Sequence, residues 1–160
     1  MKSLSEYINT KKPKAYLLVG LPGSGKSTWC RKNYPNLPIV SRDIIRAELG
    51  FTKDADEKAA LEWWKEEKVT KRENELIEKL CSERKDFIID DTNLKKKFRK
   101  KMIDFLHNNG AIVIGVRFST DIDTCIDRRK DQISEETMRQ IFSKMDQLED
   151  DEVDKTIEAN

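Results

Sequence analysis

Gly20-Leu21-Pro22-Gly23-Ser24-Gly25-Lys26-Ser27 fits the pattern G-x-x-x-x-G-K-[ST]. That pattern is the loop that cradles nucleotide phosphates, provided a strand leads into it and a helix leaves it. Both flanks are present. Ala15-Tyr16-Leu17-Leu18-Val19 is a short apolar run that reads as a buried strand, and Thr28-Trp29-Cys30-Arg31-Lys32 opens a helical stretch. The glycines let the backbone curl until several N–H groups point at one spot, where a helix N-terminus adds its partial positive charge. Lys26 is placed to reach the outer phosphates, and the Ser27 hydroxyl is the expected Mg²⁺ ligand.

Working outward, apolar runs alternate with helical patterns, which predicts an α/β fold with a four-stranded parallel sheet. The predicted strands are 15–19, 38–41, 87–89 and 111–118. The predicted helices start at Lys26, near Asp43, near residue 55, around Phe98, at Thr120 or Asp121, and at Ser134. The helix over 55–83 is long and charged, with Trp63 and Trp64 read as core anchors. Phe98, Met102, Phe105 and Leu106 recur at helical spacing and predict the buried face of the next helix.

The chain has 160 residues, the size of one domain, and a net charge of +1. That balance hides a split: residues 149–160 hold six acids and one base, leaving about +6 on the rest. Residues 1–148 are therefore read as the folded domain and 149–160 as an acidic tail. Cys30, Cys81 and Cys125 form neither a disulfide framework nor a zinc pattern, which fits reduced thiols in a cytoplasm. No run is apolar enough to span a membrane. His107 is the single histidine, so a Ser-His-Asp arrangement is excluded.

In parallel sheets, ligands bind beyond the carboxyl ends of the strands. Besides the loop, three groups are expected at that rim. Ser41-Arg42-Asp43 with Arg46 follows strand two; Asp43 is a candidate general base and Arg46, one helical turn on, a candidate phosphate holder. Asp90-Asp91-Thr92-Asn93 follows strand three. Being adjacent, the two carboxylates point apart, so only one can serve Mg²⁺. Arg128-Arg129-Lys130 reads as a basic connector able to close over the nucleotide. The run Lys95-Lys96-Lys97-Phe98-Arg99-Lys100-Lys101 reads either as a track for a nucleic-acid backbone or as the wet face of a helix.

In order and spacing, Gly20–Trp29, Ser41-Arg42-Asp43 with Arg46, Asp91-Thr92-Asn93-Leu94 and the Arg128 region resemble the 5′-kinase domain of phage-type polynucleotide kinases. The resemblance implies a P-loop kinase with a short helical lid that moves the γ-phosphate of ATP, with Mg²⁺, to the 5′-hydroxyl of DNA or RNA. It places Gly20, Pro22, Gly23, Ser24, Gly25, Lys26, Ser27 and Thr28 on the nucleotide, with Arg128 and Arg129 closing above. Lys26, Asp43 and Arg128 are its catalytic residues. Arg42, Asp43, Arg46, Asp91, Thr92 and Asn93 face the acceptor, and Ser27 and Asp91 serve the metal. It implies a cytoplasmic setting, in a cell or in a phage-infected host. Two rival readings share the loop: a kinase of small alcohols, and a nucleotide-dependent switch without transfer.

Overall fold

The computed structural model describes residues 1–6, 11–51 and 63–160. The chain runs β1 (Lys14–Val19), α1 (Lys26–Asn33), β2 (Ile39–Val40), α2 (Arg42–Glu48), α3 (Trp63–Ser82), β3 (Phe87–Ile89), α4 (Lys96–Asn108), β4 (Ile112–Arg117), α5 (Ile122–Arg129) and α6 (Glu135–Ser143). A 3₁₀ turn (Asp150–Glu152) and a last strand, β5 (Lys155–Glu158), follow. The strands lie in the order β2-β3-β1-β4-β5, and every pair is parallel. The predicted strands and helices thus form largely where the patterns place them. Residues 55–62 of the predicted long helix lie outside the described residues.

Past the exposed Lys14, β1 is apolar and buried because both its faces are covered, as a central parallel strand requires. Ala15, Leu17 and Val19 face one core with Ile45 of α2, Val69, Ile77 and Cys81 of α3, and Ile103 and Leu106 of α4. Tyr16 and Leu18 face the other, with Cys30 of α1, Ile88, Ile114, Val116 and Phe118. A third, smaller core joins Leu21 of the glycine loop to Cys125 of α5 and Met138 of α6. α5 and α6 are thereby packed on the loop they border. Asp121 and Ser134 cap α5 and α6 by accepting from the amides of Thr124 and Thr137. The three cysteines are buried and free. Among the described residues, no helix is long and apolar enough to cross a membrane.

Three expectations are corrected. The sheet has five strands, because residues 155–158 of the supposed acidic tail pair with β4 from Ile114 to Arg117. The acids there are not idle: Asp150 and Glu158 both pair with Arg117, and Asp154 accepts from His107 (2.8 Å) and from the Val113 amide (2.8 Å). On α4, Leu106 is buried and Met102 and Phe105 pack partly buried against the core as expected, joined by Ile103 and Arg99, but Phe98 stands 63% exposed. Trp64, read as a core anchor, is 40% exposed, edge-on to Phe51, with the Lys65 and Lys68 ammoniums over its ring.

Arg99 is the unexpected centre of this arrangement. Wholly buried, it donates to the carbonyls of Asn93 (2.8 Å), Asp146 (2.8 Å) and Gln147 (3.1 Å). It also pairs with Glu152 through both carboxylate oxygens, at 3.0 and 3.1 Å. The basic run is therefore not a uniform wet face: its one arginine bolts α4 to the Asn93 loop and to the segment leading into β5. Arg99→Ala strands a buried carboxylate and three carbonyls, a class of lesion that costs about 3–5 kcal/mol. Urea unfolding of this variant is expected to show a stability lowered by that amount, and a change within experimental error of zero would contradict the role.

Candidate active site

The turn after β1 needs glycine for two different reasons, close approach and positive φ. A Cβ on Gly20 would lie 2.6 Å from Ser24 Oγ and 2.7 Å from Phe118 Cβ, so the backbone passes too close for any side chain. Gly25 sits at φ 97° immediately before α1, in the left-handed region that other residues enter at a cost. The resulting loop is braced from outside. Gly20 N donates to the Thr92 carbonyl (3.1 Å), the Thr120 hydroxyl donates to the Ser24 carbonyl (2.8 Å), and Arg128 Nη1 donates to the Gly23 carbonyl (3.0 Å). Thr120 in turn accepts from Asn160 Nδ2 (2.7 Å), while Asn160 Oδ1 accepts from the Ser119 amide (2.9 Å). The residues just past β5 thus reach back to steady the phosphate loop.

Lys26 lies across the mouth of the loop, donating to the carbonyls of Gly20 (2.9 Å) and Leu21 (2.8 Å). Burial lowers its pKa from the ordinary lysine value, and the nearby Asp90 charge works against that. Asp90 is raised, first by burial, with Lys26 opposing. Lys26, the first residue of α1, and Asp90, just past the end of β3, are electrostatic partners.

Asp91 turns the other way. Its Oδ1 accepts from the Arg42 amide (3.0 Å) at the start of α2, and burial together with Glu73 pushes it up to about 7. Glu73 of α3 is itself buried. The acid that acts most strongly on Lys26 is Asp90, while Asp91, expected to serve the metal, lines the same cavity and holds down the start of α2. Asn93, at φ 51°, gives its amide to the Leu18 carbonyl (2.7 Å), which ties its loop to β1 rather than offering that group to an acceptor.

On the other side of the loop, α2 brings Asp43 and Arg46 together: Arg46 Nη1 donates to Asp43 Oδ1 (2.8 Å). Asp43 is 73% exposed at its side chain. Arg46 is held from behind by Glu66 of α3, with Nε to Oε1 at 2.8 Å and Nη2 to Oε2 at 2.9 Å. Arg42 packs into the same anion set. Its guanidinium donates to Glu73 Oε2 (2.8 Å), Glu66 Oε2 (2.8 Å) and Thr70 Oγ1 (3.1 Å). Arg42, expected to face an acceptor, is thus a clamp between α2 and α3. Glu66 and Glu73 are seven residues apart, two helical turns, and that spacing in a charged helix was the available sign that both serve one face.

One cavity of about 1090 Å³ takes in Pro22 to Thr28, Arg42, Asp43, Arg46, Asp90, Asp91, Thr92, Arg128 and Arg129. Two expected residues, Gly20 and Asn93, lie outside its lining. Arg128 and Arg129 belong to the last turn of α5 rather than to a connector. The same cavity has an aromatic lobe at Trp29, Tyr34 and Phe118, which together with residues 157–160 form a wall that the sequence did not reveal. Trp29 stands edge-on to Phe118 at 5.9 Å and contacts Tyr34 at 5.5 Å. Beside a phosphate loop, an aromatic lobe of this kind suits a flat, apolar-faced group.

A glycine loop between a central parallel strand and a helix, with a half-buried lysine and an adjacent acid, defines a P-loop nucleotide-binding protein of the kinase type. The chain belongs to the AAA_33 family, described as an AAA domain, which matches residues 16–150. No curated protein is significantly similar to it in sequence. Among solved structures it is similar to a chain of the Pnkp1/Rnl/Hen1 complex, with 29% identity and a TM-score of 0.63. That likeness covers 74% of this chain and 39% of the other, so the chain spans about two fifths of that relative's length. It is also similar to a chain of the PezAT toxin-antitoxin system of Streptococcus pneumoniae, at 25% identity and TM-score 0.60, covering 76% of this chain and 52% of that one. The Mycobacterium tuberculosis APS kinase CysC, solved with AMPPNP and APS, shares the fold at 17% identity and TM-score 0.63, over 92% of this chain and 88% of that one.

The Glu66 clamp has a pH signature. Hydrogen bonds from Arg46, then Arg42, hold its carboxyl at about 2 against an ordinary 4.5. A carboxylate lowered on folding stabilises the fold fully above its unfolded value and ceases to as pH falls through its folded one. The stability difference between wild type and Glu66→Gln is expected to be level from pH 7 to about 5 and to close between about 4.5 and 2. Urea titrations at each pH check this; a gap that persists at the acid end would contradict the clamp.

Proposed function

We propose that the protein transfers the γ-phosphate of ATP to the 5′-hydroxyl of a polynucleotide. The observation that carries this reading is the Asp43–Arg46 pair, held by Glu66 on the wall of the cavity that also contains the phosphate loop. The 29% identity to a chain of the Pnkp1/Rnl/Hen1 complex supports it.

Each role has support in the geometry. The loop amides and Lys26 bind the donor phosphates, with Thr28 and Ser24 on the same wall. Arg128, and Arg129 beside it in the cavity, stand over the loop where charge grows on the transferred group. The aromatic lobe at Trp29 and Phe118 takes the base. Ser27 and Asp90 fit a Mg²⁺ that arrives with the triphosphate. Such an ion needs only one or two protein ligands, since phosphate oxygens and water fill the rest. When bound, the ion neutralises charge between the outer phosphates.

Asp43 accepts the proton of the attacking hydroxyl, oriented by its ion pair with Arg46. Arg46 has five N–H donors, of which Glu66 and Asp43 take three. The remaining two meet no partner among the described residues and suit the phosphate that follows the first nucleoside of the acceptor. Arg42, Asp91 and Thr92 hold α2 and the loop in place behind this pair. Catalysis then consists of positioning and charge neutralisation rather than covalent chemistry.

Incubation with γ-labelled ATP and a 5′-hydroxyl oligonucleotide tests the reading, with a 5′-phosphorylated twin as control. Label is expected only in the first. Labelling of a small alcohol that an excess of oligonucleotide leaves untouched would replace it with the small-molecule kinase. Asp43→Asn is expected to lower kcat by about 10²–10⁴ while ATP binding, followed by calorimetry, is kept. Arg46→Ala is expected to raise the acceptor KM much more than the ATP KM; equal effects would place Arg46 elsewhere.

A further inference from the structure

We infer that the outward side of α4 carrying Lys97, Phe98 and Lys101 is a track for the single-stranded body of the acceptor, beyond the end held in the active site. This rests on the polynucleotide reading above.

The six residues from Lys96 to Lys101 are Lys-Lys-Phe-Arg-Lys-Lys, and the structure sorts them into three kinds. Arg99 is internal and fixes the helix to the Asn93 carbonyl (2.8 Å). Lys96 and Lys100 are neutralised by Glu149 (2.8 Å) and Asp104 (2.9 Å). Lys97 and Lys101, one helical turn apart, are exposed and form no ion pair among the described residues. Next to Lys97 stands Phe98, 63% exposed, with the Lys101 ammonium 5.9 Å from its ring centroid. Lys95 adds a third cation, its ammonium resting on the Lys144 carbonyl.

A phenylalanine left in water forgoes about 1.5–3 kcal/mol of burial. Here it sits beside Lys97 and Lys101, which form no ion pair among the described residues, with the Lys101 ammonium over its ring. An exposed ring for a base to stack on, with cations on either side for the phosphates, is the chemistry of single-strand binding. A folded acidic protein would use the charge and have no need of the ring; a duplex would offer no free base face. The position fits as well. α4 opens three residues past Asn93, beside the loop that borders the active-site cavity, and Arg99 makes helix and loop one rigid piece.

The experiment uses the whole chain, γ-labelled ATP and two acceptors: a nucleoside 3′-monophosphate, which reaches only Asp43 and Arg46, and a 5′-hydroxyl single strand of about 20 nucleotides, long enough to cover several site sizes. The variants are Phe98→Ala, Phe98→Tyr and the double change Lys97→Glu with Lys101→Glu, all at exposed positions. Phe98→Ala is expected to raise the KM of the long acceptor about tenfold. Phe98→Tyr restores it, and the KM values of ATP and the mononucleotide stay put. For the double variant, the log–log salt dependence of long-strand binding is expected to become shallower by about 1.4, as for two single-strand phosphates no longer neutralised.

Long-acceptor KM unchanged in every variant would overturn the track while leaving the proposed reaction standing. An effect of the lysine reversals with none from Phe98→Ala would overturn it as a single-strand surface and leave a contact of charge alone. A wild-type protein that labels neither acceptor overturns track and reaction together.

Discussion

Burying β1 on both faces is the constraint from which the rest follows. With cores on either side and strands on either edge, the only way out for the chain is at the carboxyl end, and it must turn there at once. Gly20 permits that turn by having no side chain where Ser24 and Phe118 already stand. The amides of the turn are then presented at the point where β3 and β4 also end. Asp90, Thr92 and Thr120 arrive at the same rim for that reason alone. The site is a by-product of sheet geometry that the sequence has furnished with charge.

That charge is arranged in two sets. Around the loop, cations face inward: Lys26 rests on the carbonyls of Gly20 and Leu21, and Arg128 on that of Gly23. Around α2, anions stand behind cations: Glu66 and Glu73 of α3 hold Arg42 and Arg46, and Arg46 presents Asp43. The second set explains how a helix as short as Arg42–Glu48 keeps a fixed orientation. It is tied through its side chains to a helix of 20 residues and through its first amide to Asp91.

Much of this was legible in the sequence, and what was not has physical causes. The phosphate loop announces itself because its backbone demands glycine at fixed spacings. Asp43 and Arg46 are legible because a spacing of three puts them on one helical face. β5 was hidden by its composition: only Thr156 and Ile157 lie between charged residues, and its acids look like a solvated tail until Arg117 and His107 are seen opposite them. Arg99 was hidden in a run of lysines, since composition does not say which of several cations turns inward to satisfy buried carbonyls. The divergence of Asp90 and Asp91 follows from their adjacency, but which of the two meets Lys26 depends on the twist at the end of a three-residue strand.

The order of strands across the sheet also has a consequence for how the protein is made. β1 leaves the ribosome well before the strands that flank it in the sheet, Phe87–Ile89 and Ile112–Arg117. At about 5–20 residues per second, the nascent chain waits roughly 5–20 seconds between β1 and β4 with an unsatisfied apolar segment in water. Helices such as α1 can form meanwhile, but nothing local can shelter Leu17 and Leu18. The strand that leads into the phosphate loop is thus an apolar surface open to misassociation until its partners arrive.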